Sequence, residues 1–131
     1  MNAYRPGGGS SGEARRTVIN VPATQAWTGT GLYIQPGQAI HITANGAVEI
    51  AHNDAFAKAP DGDPGCTAQG AWVAPGLPCW SLIGRVGDGS PRAVGQEAHL
   101  QGKGDLYLGI NDEVATFGDN SGSWTVSIEV D

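Results

Sequence analysis

No apolar run in this sequence approaches the roughly 18 residues that a membrane-crossing helix needs, which excludes such a segment and predicts a soluble protein. Charge is scarce: 15% of the 131 residues are Asp, Glu, Lys or Arg, and seven basic residues stand against thirteen acidic ones for a net −6. Arg5, Arg15 and Arg16 outweigh Glu13 in residues 1–16, so residues 17–131 carry −8. A body of that sign repels phosphate backbones and anionic headgroups, which disfavours nucleic acid and acidic membranes and favours cations and neutral ligands. Helical periodicity and internal repeats are both missing. Cysteine is rare too: Cys66 and Cys79, with three scattered histidines, are too few for a Cys-type zinc site. A bridge between them closes a short Gly-, Pro- and Ala-rich loop and contributes about 3 kcal/mol by restricting the unfolded chain. The alternative, in a reducing compartment, is two free thiols. The first sixteen residues lack the apolar core of a secretory signal, and their GGGSSG centre has linker composition, so 1–16 reads as a flexible leader or linker before a single domain, 17–131.

What the chain has in quantity is glycine, 21 residues, with eight prolines, a composition that disfavours a helical bundle and predicts frequent turns. From residue 17 apolar residues alternate with polar ones between turn signals, the mark of short antiparallel strands. Thr17–Val21 opens the series, and Gly31–Ile34 leads into Gln35-Pro36-Gly37-Gln38, where Pro and Gly suit a type II turn. Residues 39–44 alternate, and Asn45-Gly46 reads as a two-residue hairpin returning into 47–50. Residues 51–79 read as a long irregular loop. Leu106, Leu108 and Ile110 share one face, as do Trp124, Val126, Ile128 and Val130. About eight strands in this length predict an all-β, jelly-roll sandwich.

Between the last two strands lies Ile110-Asn111-Asp112-Glu113-Val114-Ala115-Thr116-Phe117-Gly118-Asp119-Asn120-Ser121-Gly122-Ser123. Ca²⁺ takes six to eight oxygen ligands, mixing carboxylates, amide oxygens and backbone carbonyls. Asp112, Asp119 and Asn120 supply the side-chain types, Thr116 can turn a carbonyl inward, and Gly118 and Gly122 permit a tight wrap. The same composition also makes an Asx-rich turn that needs no ion.

This motif, with Pro36-Gly37, Gly46 and Leu82-Ile83-Gly84-Arg85-Val86-Gly87 upstream, closely resembles the LecA-type, calcium-dependent, galactose-specific bacterial lectins (the PA-I lectin family) over roughly residues 27–130. The resemblance implies a galactose-binding-domain-like sandwich in which Asp112, Asp119 and Asn120 bind Ca²⁺ through side chains, and Thr116 and Ile50 through carbonyls. It implies that hydroxyls 3 and 4 of a terminal galactose complete the ion's shell, with Ile50, Gln69, Asp112, Glu113 and Asp119 against the sugar. Galactose-containing glycans are the implied partners, and a homo-oligomer, tetramer or dimer, the implied assembly. Asp119 stands where the best-known member has Asn. Gln69 falls where a side-chain amide meets the sugar's 6-hydroxyl, and Cys66 where the family has a histidine for that same hydroxyl.

Other residues are read on their own. His52 lies near the rim of the expected site. His41 falls in an alternating strand and is expected across strands or toward solvent. Trp72, in the Gly/Pro loop, is a sugar-stacking platform or an apolar loop anchor; Trp124 is core, and Trp80 either core or platform. No nucleophile-elbow pattern surrounds Ser121 or Ser123, and no carboxylates pair as in a glycosidase, so no enzyme is expected. The competing function is a calcium-stabilised structural or adhesion module that binds no sugar.

Overall fold

The computed structural model describes residues 15–50, 53–114 and 116–131. Within them the strands are β1 (Arg15–Pro22), β2 (Trp27–Ile34), β3 (Ile40–Asn45), β4 (Val48–Ile50), β5 (Asn53–Lys58), β6 (Asp63–Thr67), β7 (Pro78–Cys79), β8 (Leu82–Val86), β9 (Arg92–Ala93), β10 (Glu97–Leu100), β11 (Gly104–Ile110) and β12 (Ser121–Val130). All pairings are antiparallel. β12 is the spine of one sheet, with β1 along one side and β3, β4, β5 and β10 on the other; the second sheet runs β2-β11-β8-β9, and β6 pairs with β7 apart from both. The fold is thus the all-β sandwich expected. The number of strands exceeds eight because β5, β6 and β7 lie within the segment 51–79 read as a loop, and because β9 has two residues, too few for alternation to show.

The core lies between the sheets. Leu106, Leu108 and Ile110 of β11 face Trp124, Val126 and Ile128 of β12, all at most 1% exposed. Each such side chain contributes about 1.5–3 kcal/mol by leaving water. Trp124 also satisfies its indole N–H, which donates to the Lys58 carbonyl at 3.0 Å. Gly109 lets β11 pass β2 closely: a Cβ there would lie 1.9 Å from the Ala26 carbonyl.

The Gln35–Gln38 turn forms as read, with Gly37 at φ +87° and the Gln38 N–H donating to the Gln35 carbonyl. Asn45-Gly46 does not turn. β3 pairs Asn45 with Thr125 and β4 pairs Val48 with Gly122, one unbroken register along β12, so the chain runs straight through. The ten-residue β12 can pair both pieces in line, and that outweighs a local turn preference. Gly46 instead takes φ +101° at the junction. Residues 51–79 are also not all irregular: β5 pairs with β4, and β6 with β7. The first strand opens at Arg15, inside the segment read as leader, and residues 1–14 lie outside the described residues.

Candidate functional site

The segment 111–120 leaves β11 in one sheet and enters β12 in the other, so it spans the gap at one end of the sandwich. Asn111 fixes its start. This fully buried side chain donates Nδ2 to the carbonyls of Ala74 (3.0 Å) and Pro78 (3.0 Å) and accepts the Ala74 N–H at 2.9 Å. Its backbone carbonyl accepts the Trp80 N–H at 2.6 Å. One amide therefore straps residues 74–80, of which only Pro78–Cys79 form a strand, onto the site.

Asp112 follows, 4% exposed. Its Oδ1 accepts the Glu113 N–H (2.7 Å) and the Trp80 indole N–H (3.2 Å), with the Thr116 hydroxyl at 3.4 Å, while Oδ2 accepts the Asn120 amide at 2.7 Å. Asn120 is itself buried and donates also to the Ala23 carbonyl at 3.1 Å. No Lys, Arg or His pairs with Asp112 among the described residues. A carboxylate withdrawn from water and surrounded only by neutral donors is a strong attractor for a cation.

Of the other expected ligands, Thr116 is held by the Glu113 carbonyl, which accepts its hydroxyl at 2.7 Å and its N–H at 3.2 Å. Asp119 ends the single-turn helix Phe117–Asp119 and is exposed. Ile50 ends β4, buried. The hydrogen bonds gather Asp112, Thr116 and Asn120; they do not extend to Asp119 or Ile50 among the described residues. No group of three His, Cys, Asp or Glu side chains poised for a metal occurs among those residues. The family ligand set would not make one, since only Asp112 and Asp119 in it are acidic.

The loop beside the site is stapled. Cys66 and Cys79 form a disulfide, Cα–Cα 5.4 Å, and the Ala68 N–H donates to the Leu77 carbonyl at 2.9 Å between the same two arms. Gln69 is exposed, its amide on the Thr67 carbonyl at 3.2 Å. Trp72 bridges to Glu113 through the backbone and packs its ring edge-on to Trp80, centroids 5.3 Å apart. Trp80 carries the Lys58 ammonium over its ring at 5.0 Å and takes φ +55°, a left-handed conformation that is uncommon for a bulky residue. Glu113 is exposed, and His52 lies outside the described residues.

A family model described as "PA-IL-like protein" matches residues 18–131. The chain belongs to the PA-IL-like family. It is similar to a protein named Lectin A of Photorhabdus laumondii subsp. laumondii, 29% identical over 105 residues that cover 78% of this chain and 80% of that one. Its fold is similar to the EclA N-terminal domain, described as a PllA-like lectin, with a TM-score of 0.70 at 25% identity, covering 92% of this chain and all of that one. This PA-IL-like chain is accordingly a carbohydrate-binding lectin and not an enzyme.

Sequence reasoning left Asn111 and Lys58 without a role and Trp80 unassigned. Asn111 follows an inward-facing Ile110 and by alternation should face solvent; the Pro/Gly-rich segment 74–78, too broken for a long strand to satisfy its carbonyls, is the signal that something must cover and bond it. Nothing in the sequence signals the Trp80 contact with Asp112.

Proposed function

We propose that this lectin binds terminal galactose-type sugars through Ca²⁺ held at the 111–120 loop. Asp112, Asp119 and Asn120 supply side-chain oxygens, and Thr116 and Ile50 backbone carbonyls, a mixed hard-oxygen set of the kind Ca²⁺ accepts. The observation that carries the reading is the buried Asp112 carboxylate, which has neutral donors and no cationic partner among the described residues. When bound, the ion supplies open positions for two vicinal sugar hydroxyls. Asp112 accepts a hydroxyl hydrogen bond, and the Asn111 strap and the Cys66–Cys79 bridge hold the neighbouring wall in place, lowering the ordering cost of binding. Trp72 offers an apolar ring face for the sugar's C–H surface. Assembly into a dimer or tetramer would convert weak single sites into avidity.

A second reading has its own support: the four donors already on Asp112 satisfy it as a structural loop without sugar. A glycan array probed in Ca²⁺ and in chelator separates the two. The proposal predicts retention on galactose-terminated glycans in Ca²⁺ and its loss in chelator; galactoside binding undiminished by chelator, or no glycan bound in Ca²⁺, overturns it.

A further inference from the structure

Beyond residue 16 the chain has four cationic side chains besides histidine: Lys58, Arg85, Arg92 and Lys103. The last three line one depression of about 390 Å³, formed where the turn after β8 meets the turn before β11. A chain of net −6 has thirteen carboxylates available to neutralise them, yet none of the three cations makes an ion pair among the described residues. Among the described residues Asp88 is the only carboxylate in the lining. Three like charges gathered round a hollow with a single carboxylate, Asp88, beside them leave a net positive lining, and an anion seated among them relieves their repulsion.

Arg85 is held ready for such a ligand. Its Nη1 donates to the Gly87 carbonyl at 2.7 Å, and its guanidinium lies 4.2 Å from the Tyr107 ring centre and 5.0 Å from that of Trp27. A planar fork fixed in this way loses little freedom on gripping an oxyanion, and its other N–H groups have no partner among the described residues. Ser90 and Gln101 add neutral polar groups to the same lining.

Two further facts fix the class of ligand. The volume sits at the lower end of small-molecule pockets, about 300–1,000 Å³, which is more room than a bare ion needs and suits a sugar ring carrying one. The acidic body repels an extended polyanion, whereas at physiological salt fields fade over about 8 Å, so a single charge feels chiefly the local cations. β11 begins at Gly104 beside this depression and ends at Ile110 beside Asp112, seven residues or about 20 Å away, so the two sites occupy opposite ends of the sandwich.

We propose that this depression is a second carbohydrate site, which takes a sugar bearing one oxyanion, a sulfate ester or a uronate carboxylate, and needs no metal. The test is an amide NMR titration in chelator, which silences the calcium site whether or not that site binds galactose. The probes are glucose 6-sulfate, glucose and inorganic sulfate. The expected result is saturable shifts at Ser90, Gln101 and Lys103 with glucose 6-sulfate, none with glucose, and weaker binding of inorganic sulfate at the same amides. The double variant Arg92→Gln/Lys103→Gln changes two exposed side chains, so its spectrum elsewhere should be retained while glucose 6-sulfate binds about tenfold or more weakly. Absence of saturable shifts, equal response to glucose, or unchanged affinity in the double variant overturns the proposal. Inorganic sulfate binding as tightly as the sulfated sugar overturns its carbohydrate part, leaving an anion site only.

Discussion

Asp112 and Asn111 are neighbours with opposite duties. Asp112 presents a charge without a cationic partner among the described residues, while Asn111 commits its whole amide to the loop that walls the site. Asp112→Ala removes the charge and the hydroxyl acceptor together, so calorimetry should show both Ca²⁺ and galactose binding lost; galactose binding at wild-type affinity would refute the assignment. Asn111→Ala orphans several buried carbonyls and one N–H, at about 2–4 kcal/mol, read as a lower urea midpoint. Cys66 is oxidised and offers no S–H, so in the proposed site Gln69 is the side chain that would meet the sugar's 6-hydroxyl. A net hydrogen bond contributes about 0.5–1.5 kcal/mol, so 6-deoxygalactose of the same hand should bind within about tenfold of galactose. A larger loss would mean that another residue makes this contact. At this scale the sequence singled out Asp112 and Asn120, and the structure joins them by a hydrogen bond of 2.7 Å. It hid the contact from Trp80 to Asp112, because Trp80 lies 32 residues earlier and only folding brings the two together.

Among the elements, β11 and β12 were legible because each alternates over its whole length with one buried face. Asn45-Gly46 misled because a turn propensity of two residues competes with a ten-residue strand that offers pairing on both sides of it. Likewise β6 and β7 pair across a loop closed by the disulfide, a non-local contact invisible to alternation. Reducing Cys66–Cys79 should lower unfolding free energy by about 3 kcal/mol, measured by urea denaturation with and without reductant. On the outer face of the first sheet a row crosses four strands. Arg16 pairs with Glu129 at 2.7 Å, Glu129 lies opposite His41, and His41 stacks on His99 with centroids 4.4 Å apart. The hydrogen bond to Glu97, at 2.6 Å, holds the His41 pKa above 6.5, with Glu129 adding to it against some desolvation. A raised histidine pKa gives stability that is present in full below pH 6.5 and is lost as pH climbs through the folded-state value. Arg16 holds Glu129 below its ordinary 4.5, so that contribution is present above this pH and fades on acidification. The row is thus most complete between these limits. NMR titration should place the His41 midpoint above 6.5 and bring it down in Glu97→Gln; an unmoved midpoint contradicts the pairing.

Over the whole molecule the two proposed sites lie at opposite ends of the sandwich: loop 111–120 at one end of β11, the cationic depression at the other, and an apolar core between. Composition showed the class of fold, because glycine-rich turns and alternating apolar residues leave few alternatives to a β-sandwich. The placement of sites at its ends depended on topology, which composition does not encode. The central claim is that one calcium ion couples fold and sugar at the Asp112 end. Titration calorimetry of metal-stripped protein with galactose and with glucose, each in Ca²⁺ and in chelator, tests it most directly. The account predicts galactose binding only when Ca²⁺ is present, and far weaker binding of glucose, whose inverted 4-hydroxyl cannot pair with hydroxyl 3 on the ion. Equal binding of the two sugars, or galactose binding that persists in chelator, would contradict it.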